Sequence, residues 1–278
     1  MDVTCLDHLL TDSETRQFDE RGFFVLDQVL DPEFVAALTD RVDTIDARFR
    51  PERGAGVHDR FSVRDFIGQD ELFLELLDWP STFAKVWGIL GWNIQMYHSA
   101  VVITPPLAAD GSGKQGWGWH QDSGRLNHEL EGNPRPRISI KVGYFLTDTS
   151  RPGGANLYVV PGSHLSNELE KPADGSLPKG AEPVLAPPGS ALVFDRRLWH
   201  STSPNHSEQT RKLLLYGYSY RWLRPRDDVD VGHFMDRCSP IRRQLLGAAP
   251  TGGYGFTSPT DEDVPLKGWL EQHLGPQN

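Results

Sequence analysis

Residues 137–147 read RISIKVGYFLT. Ile138, Ile140, Val142, Tyr144 and Leu146 recur at every second position, so in an extended chain they share one face. That period belongs to a strand with one side against a core. Lys141 interrupts the apolar run from the opposite side. It is either on the outer face of a sheet or reaching a carboxylate inside a pocket, and the pattern alone leaves both open.

Working outward, the neighbouring segments are strands of the same kind. Residues 93–104 are rich in β-branched and aromatic side chains, 107–118 form a Gly/Ser loop, and short strands follow at 156–160, 191–199 and 212–222. The N-terminal third is helical instead. Thr11 with Glu14 makes a capping box and Gly22 a stop, which predicts a helix over 12–21, followed by a strand over 23–30. Asp31-Pro32-Glu33 starts a second helix of about four turns, with Phe34, Leu38, Val42 and Ile45 on one side. Two more helices, 71–77 and 81–90, are separated by Pro80. Helices first and then about eight short strands predict an α+β class, one domain over 1–278 with a sandwich or jelly-roll core. The divisions expected are a mainly helical flank (1–91), the core (92–225) and a C-terminal extension (226–278).

Composition narrows the function. The chain has 28 Lys+Arg against 38 Asp+Glu, a formal charge of −10, which argues against a nucleic-acid or anionic-membrane surface. Its two cysteines, Cys5 and Cys238, show no pairing pattern and no zinc-type spacing. The start, MDVTCLDHLLTDSETRQFDE, has no basic segment, apolar run or cleavage site, and no stretch approaches the roughly 18 apolar residues of a membrane helix. A cytoplasmic protein acting on a small molecule, with no obligate protein partner evident, is the expectation.

The chemistry-bearing stretch is Trp117-Gly118-Trp119-His120-Gln121-Asp122. If it is extended, His120 and Asp122 project the same way, about 7 Å apart, with Gln121 turned away. An imidazole and a carboxylate make two thirds of a metal site, and His200 is the candidate third ligand. Two histidines and one carboxylate suit the facial triad of a non-haem Fe(II) oxygenase, which leaves positions open for other ligands. The segments ALVFDRRLWHST (191–202) and TRKLLLYGYSYRW (210–222) read as a hairpin. With its turn between His206 and Ser207, Thr202 falls opposite Arg211, on the face that carries His200. A guanidinium and a hydroxyl there would grip the far carboxylate of a dicarboxylate co-substrate.

Three stretches carry a family resemblance: His120-Gln121-Asp122, GGANLYVVPGSH at 153–164, and LWHSTSPNHSEQTR at 198–211. With the opening FDERGFFVLDQVLDPEFV and the tail segments RRQLLG and DVPLKGWL, the chain resembles the phytanoyl-CoA dioxygenase family of Fe(II)- and 2-oxoglutarate-dependent oxygenases over nearly its whole length. The resemblance implies a double-stranded β-helix (jelly-roll, cupin-like) core with flanking N-terminal helices. It implies iron held by His120, Asp122 and His200, and Arg211 with Thr202 on 2-oxoglutarate. It also implies that Gln95 and Asn156 lie against the co-substrate, and that O2 is consumed with release of succinate and CO2. Halogenating relatives carry a small residue where Asp122 stands, so hydroxylation or a related oxidation of a C–H bond is the implied outcome.

The remaining candidates belong to the substrate side. Residues 51–66 (PERGAGVHDRFSVRDF) break the helical period and carry His58, Arg60 and Arg64; they are either a solvated loop or a lid that lends an arginine to the site, with Arg64 the substrate candidate. Trp117, Lys141 and Arg125 are further substrate candidates, with Tyr158 and His128 nearby. Trp117 and Trp119 point away from the metal face in a regular strand, which suits packing at the core or the entrance. His98 and His164 are expected to be structural. No basic cluster suited to a CoA diphosphate stands beside the site, so a small metabolite is the expected substrate. Two other readings compete. A non-catalytic jelly-roll sensor would keep the pocket without turnover, and a cupin-like isomerase would have no use for Arg211.

Overall fold

The chain, described here for residues 1–277 of a computed structural model, contains nine strands among those residues. They are β1 (Phe23–Leu26), β2 (Phe61–Arg64), β3 (Ile94–Thr104), β4 (Ser139–Phe145), β5 (Leu157–Val159), β6 (Glu182–Pro183), β7 (Ala191–Asp195), β8 (His200–Thr202) and β9 (Arg211–Tyr220). Six of them form an antiparallel sheet in the order β1-β7-β4-β9-β3-β2, and β6-β5-β8 form a second, smaller one. Together the two sheets make the jelly roll expected from the sequence.

The alternation in β4 decides which face is which. Ile140, Val142 and Tyr144 join Val193, Leu214, Tyr216 and Tyr218 on the outer face, packed on α2 (Pro32–Glu52) and α3 (Pro80–Leu90). The opposite face carries Phe145, Leu192, Phe194 and Leu213, which close a second core with Leu157 and Val159 of the small sheet. Lys141 belongs to that inner face, since its register partners are Phe194 and Gly217.

The capping box of Thr11 and Glu14 starts α1 (Asp12–Arg21), and Gly22 ends it at φ 83°, as the sequence indicates. Several local expectations are corrected. The segment read as a helix at 71–77 is a 3₁₀ helix, Glu71–Asp78. Its carbonyls turn towards the sheet, where the hydroxyls of Tyr216, Tyr144 and Tyr218 donate to Phe73, Leu76 and Leu77. The strand read over 23–30 stops at Leu26, α2 continues to Glu52, and the supposed loop at 51–66 contains the edge strand β2.

The hairpin is the largest correction. β8 pairs with β5 of the small sheet and β9 with β3 and β4 of the large one, so Thr202 lies opposite Leu157, and Arg211 opposite Thr104. Residues 203–210 are a crossover between sheets. Asn205, fully buried, holds it: its amide donates to Thr104 O and Gln209 O, and its Oδ1 accepts from Ser207.

Candidate metal and co-substrate site

His120 and His200 meet in an isolated antiparallel bridge: His120 N donates to His200 O at 3.1 Å and His200 N to His120 O at 3.0 Å. The ring centroids are therefore 4.3 Å apart. Asp122 N donates to Arg196 O at 2.9 Å, which keeps the segment extended for two more residues and returns the carboxylate to the same side. One ligand atom from each of His120, Asp122 and His200 lies within 4.8 Å of the others. Gln121 points away, its amide donating to Ser166 O and Arg197 O.

The ring nitrogens are sorted by their partners. His120 Nδ1 is 2.6 Å from Gly118 O, and His200 Nδ1 is 2.8 Å from Leu198 O. A carbonyl only accepts, so Nδ1 carries a proton in each ring, which leaves Nε2 as the nitrogen available to ligate. Burial, then the neighbouring His120, pushes the His200 imidazole down to about 4, so it is neutral at physiological pH. Burial alone would raise Asp122, but Lys141, His200 and His120 hold its carboxyl well below the usual range. Asp122 Oδ2 is buried with no hydrogen-bond partner, 4.0 Å from His200 Nε2. Two free imidazole lone pairs and an orphaned carboxylate oxygen are the donor set that a divalent iron needs, so the residues fit the metal.

Arg211 lines the same cavity, which measures about 220 Å³, and so does Thr202. Although 2% exposed, the guanidinium has no hydrogen-bond partner among the described residues on any of its three nitrogens. Burial, then the like charge of Arg60, pushes it down to about 9, and it remains cationic at neutral pH. A buried, unpaired fork of donors fits a carboxylate ligand. The walls between are apolar, from Val102, Leu157, Phe194, Leu213 and Leu215.

Other candidates fall elsewhere. Gln95 sits towards the far end of β3, opposite Ser219, with its amide on Leu223 O at 2.8 Å. Asn156 spends its amide on Thr149 O and Val184 O and its carbonyl on Gly154 N, and holds a loop. Neither lines the cavity. Arg64 is exposed on the edge strand, two residues past Ser62, outside the lining. Arg125 is exposed and pairs with Glu129 of the short helix α4 (Leu126–Glu129). Trp117, 39% exposed, stacks on Trp119 and meets the edge of Tyr158, an aromatic ledge at the surface with no part in the core. His98, hydrogen-bonded to Asp227, and His164, wedged against Gly22, are structural. Lys141 lines the cavity, with Nζ 2.8 Å from Asp122 Oδ1.

Arg60, Phe61 and Ser62 also line the cavity; Arg60 is one of the arginines that the 51–66 segment offers the site, while the sequence reading passed over Phe61 and Ser62. The signal was present in FSVR (61–64), whose buried and exposed residues alternate as in any edge strand. A larger groove of about 690 Å³, lined by Asp2, Glu75, Asp78 and Arg242 among others, lies elsewhere and gathers no metal-ligand set.

A pair of imidazoles, a carboxylate and a separate grip for a dicarboxylate are the working parts of non-haem Fe(II), 2-oxoglutarate-dependent oxygenases, and that is the class this fold and site define. The chain belongs to the phytanoyl-CoA dioxygenase (PhyH) family, whose model matches residues 18–213. It is 26% identical over 243 residues to the L-proline trans-4-hydroxylase of Streptomyces griseoviridis, covering 76% of this chain and 86% of that protein. It is also 27% identical over 152 residues to a probable alpha-ketoglutarate-dependent hypophosphite dioxygenase of Stutzerimonas stutzeri, covering 47% and 46%. The crystal structure of HygX from Streptomyces hygroscopicus, with nickel and 2-oxoglutarate bound, shares the fold at a TM-score of 0.62 and 18% identity, over 78% of this chain and 90% of that one. The chain is thus an Fe(II)- and 2-oxoglutarate-dependent dioxygenase. No helix among the described residues is long and apolar enough to cross a membrane.

Proposed function

We propose that this dioxygenase hydroxylates an unactivated C–H bond of a small-molecule metabolite, with release of succinate and CO2. His120, Asp122 and His200 hold the iron in this reading, and Arg211 with Thr202 holds the distal carboxylate of 2-oxoglutarate. The observation that carries it is the buried, partnerless guanidinium of Arg211 in the same cavity as the two histidines and Asp122.

When bound, Fe(II) supplies the activation of O2 coupled to oxidative decarboxylation of the co-substrate. The chain's residues supply position. Gly118 O and Leu198 O fix the two imidazoles so that both Nε2 atoms face the metal position. Arg211, whose guanidinium nitrogens have no partner among the described residues, binds the carboxylate with Thr202, and the apolar side chains around it exclude water from the path to the histidines. Because Asp122 supplies a carboxylate, no ligand position is left for a halide, and hydroxyl transfer is the expected outcome.

A small substrate is supported by the size of the cavity and by the names of two relatives, an L-proline trans-4-hydroxylase and a probable hypophosphite dioxygenase. Screening a metabolite library for succinate release under O2 tests the proposal. One class of small metabolite should raise turnover well above the substrate-free rate. A protein that binds 2-oxoglutarate yet forms no succinate with or without any candidate is the sensor of the competing reading.

A further inference from the structure

Lys141 has no role in the reading above, yet it lies inside the metal centre. It stands on the inner face of β4 between Phe194 and Gly217, with Nζ 2.8 Å from Asp122 Oδ1. The two side chains are 4% and 5% exposed. Burying an ammonium is costly unless an opposite charge and a hydrogen bond meet it, and Asp122 provides both. The contact divides the carboxylate: Oδ1 is engaged by lysine, while Oδ2 is unpartnered and lies on the His200 side.

We infer that Lys141 is a positioning residue that sets the charge of the metal centre, so that metal and 2-oxoglutarate bind cooperatively. The inference rests on the function proposed above. Its logic is a charge count. A divalent cation with Asp122 alone leaves a centre of +1, and the 2-oxoglutarate dianion would then take it to −1. With Lys141 the metal-loaded centre is +2, so the dianion meets one more positive charge there; Arg211, at the far carboxylate, adds the same charge to both counts. In a buried site these differences are poorly screened. Lys141 therefore opposes the metal alone, favours the dianion once metal is present, and compensates Asp122 when metal is absent. By holding Oδ1 it leaves Oδ2 as the oxygen that would be offered to a metal.

Mn(II), which does not turn over, is the probe. Calorimetric titrations of Mn(II) with and without 2-oxoglutarate are made on the wild type, Lys141→Met and Lys141→Arg. Lys141→Met should bind Mn(II) alone about tenfold more tightly, and the gain in Mn(II) affinity on adding 2-oxoglutarate should shrink by about the same factor. Without metal this variant should melt below the wild type, and Lys141→Arg should restore all three properties. If the methionine variant does not fold, Lys141→Gln, which keeps a donor to Oδ1 without the charge, carries the same expectation for the titrations. Unchanged or weaker Mn(II) binding by the neutral variants, or an unchanged effect of 2-oxoglutarate, overturns the inference and leaves the metal centre standing. A wild type that binds no Mn(II) overturns the metal centre itself, and the inference with it.

Discussion

Arg211 is a buried cation with no counter-charge among the described residues, and that arrangement costs stability unless a ligand supplies the charge. Arg211→Met should therefore stabilise the ligand-free protein, by on the order of 1–3 kcal/mol, and abolish the stabilisation that 2-oxoglutarate gives the metal-loaded wild type. Urea denaturation with and without 2-oxoglutarate measures both effects, and a destabilised variant that still responds to 2-oxoglutarate would contradict the assignment. His200 makes a pH prediction. Its imidazole, at about 4 in the fold against 6.5 ordinarily, is depressed, so its stabilisation is complete above pH 6.5 and is lost as the pH falls towards 4. Metal-free wild type should lose on the order of 3 kcal/mol more than His200→Gln between pH 7 and 4. Equal losses in urea titrations would show that His200 is not held neutral. At this scale much was readable in the sequence. The i, i+2 spacing of His120 and Asp122 dictates a shared side wherever the chain is extended. Gln95 and Asn156 were unreadable, because their amides are claimed by Leu223 O and Thr149 O, and such carbonyls come near only in the folded chain.

At the scale of elements, the crossover at 203–210 shows what local pattern cannot decide. Two apolar strands joined by a short polar segment read alike whether they pair with each other or belong to opposite sheets. Here β8 and β9 have other partners, so Thr202 and Arg211 share a cavity by facing each other's sheets and not by hairpin register. Asn205 carries that geometry, since its side chain meets Thr104, Gln209 and Ser207 while its N–H donates to Gln115 Oε1. Asn205→Ala should cost on the order of 2–4 kcal/mol and weaken 2-oxoglutarate binding more than metal binding. Parallel denaturation and Mn(II) and 2-oxoglutarate titrations check this; equal losses for the two ligands would mean that the crossover does not position the carboxylate grip. The face of Lys141 was open for a related reason. A period of two says that the lysine opposes Ile140 and Val142, but only the covering of the outer face by helices shows that its own face is the interior.

For the whole molecule, the order of helices and strands was enough to give the architecture, because an apolar sheet face must be covered and the N-terminal helices are the layer available. What the linear pattern hid is how the C-terminal residues join it. Arg221, at the end of β9, donates to Ala248 O and Gly255 O, while Gln244 spans Trp92 O, Ile94 O and Leu266 N. Ile241, Leu245, Leu266 and Leu270 complete the outer core. The sheet is thus braced on one side, while its other side closes the second core and lines the cavity. The central claim is that this cavity holds iron and 2-oxoglutarate together. Anaerobic titration of the metal-free protein with Fe(II) and then 2-oxoglutarate tests it most directly. The account predicts a visible metal-to-ligand charge-transfer band that needs both components and is lost in His120→Ala and at matched concentrations in Arg211→Met. No band in the wild type, or an undiminished band in His120→Ala, would contradict it.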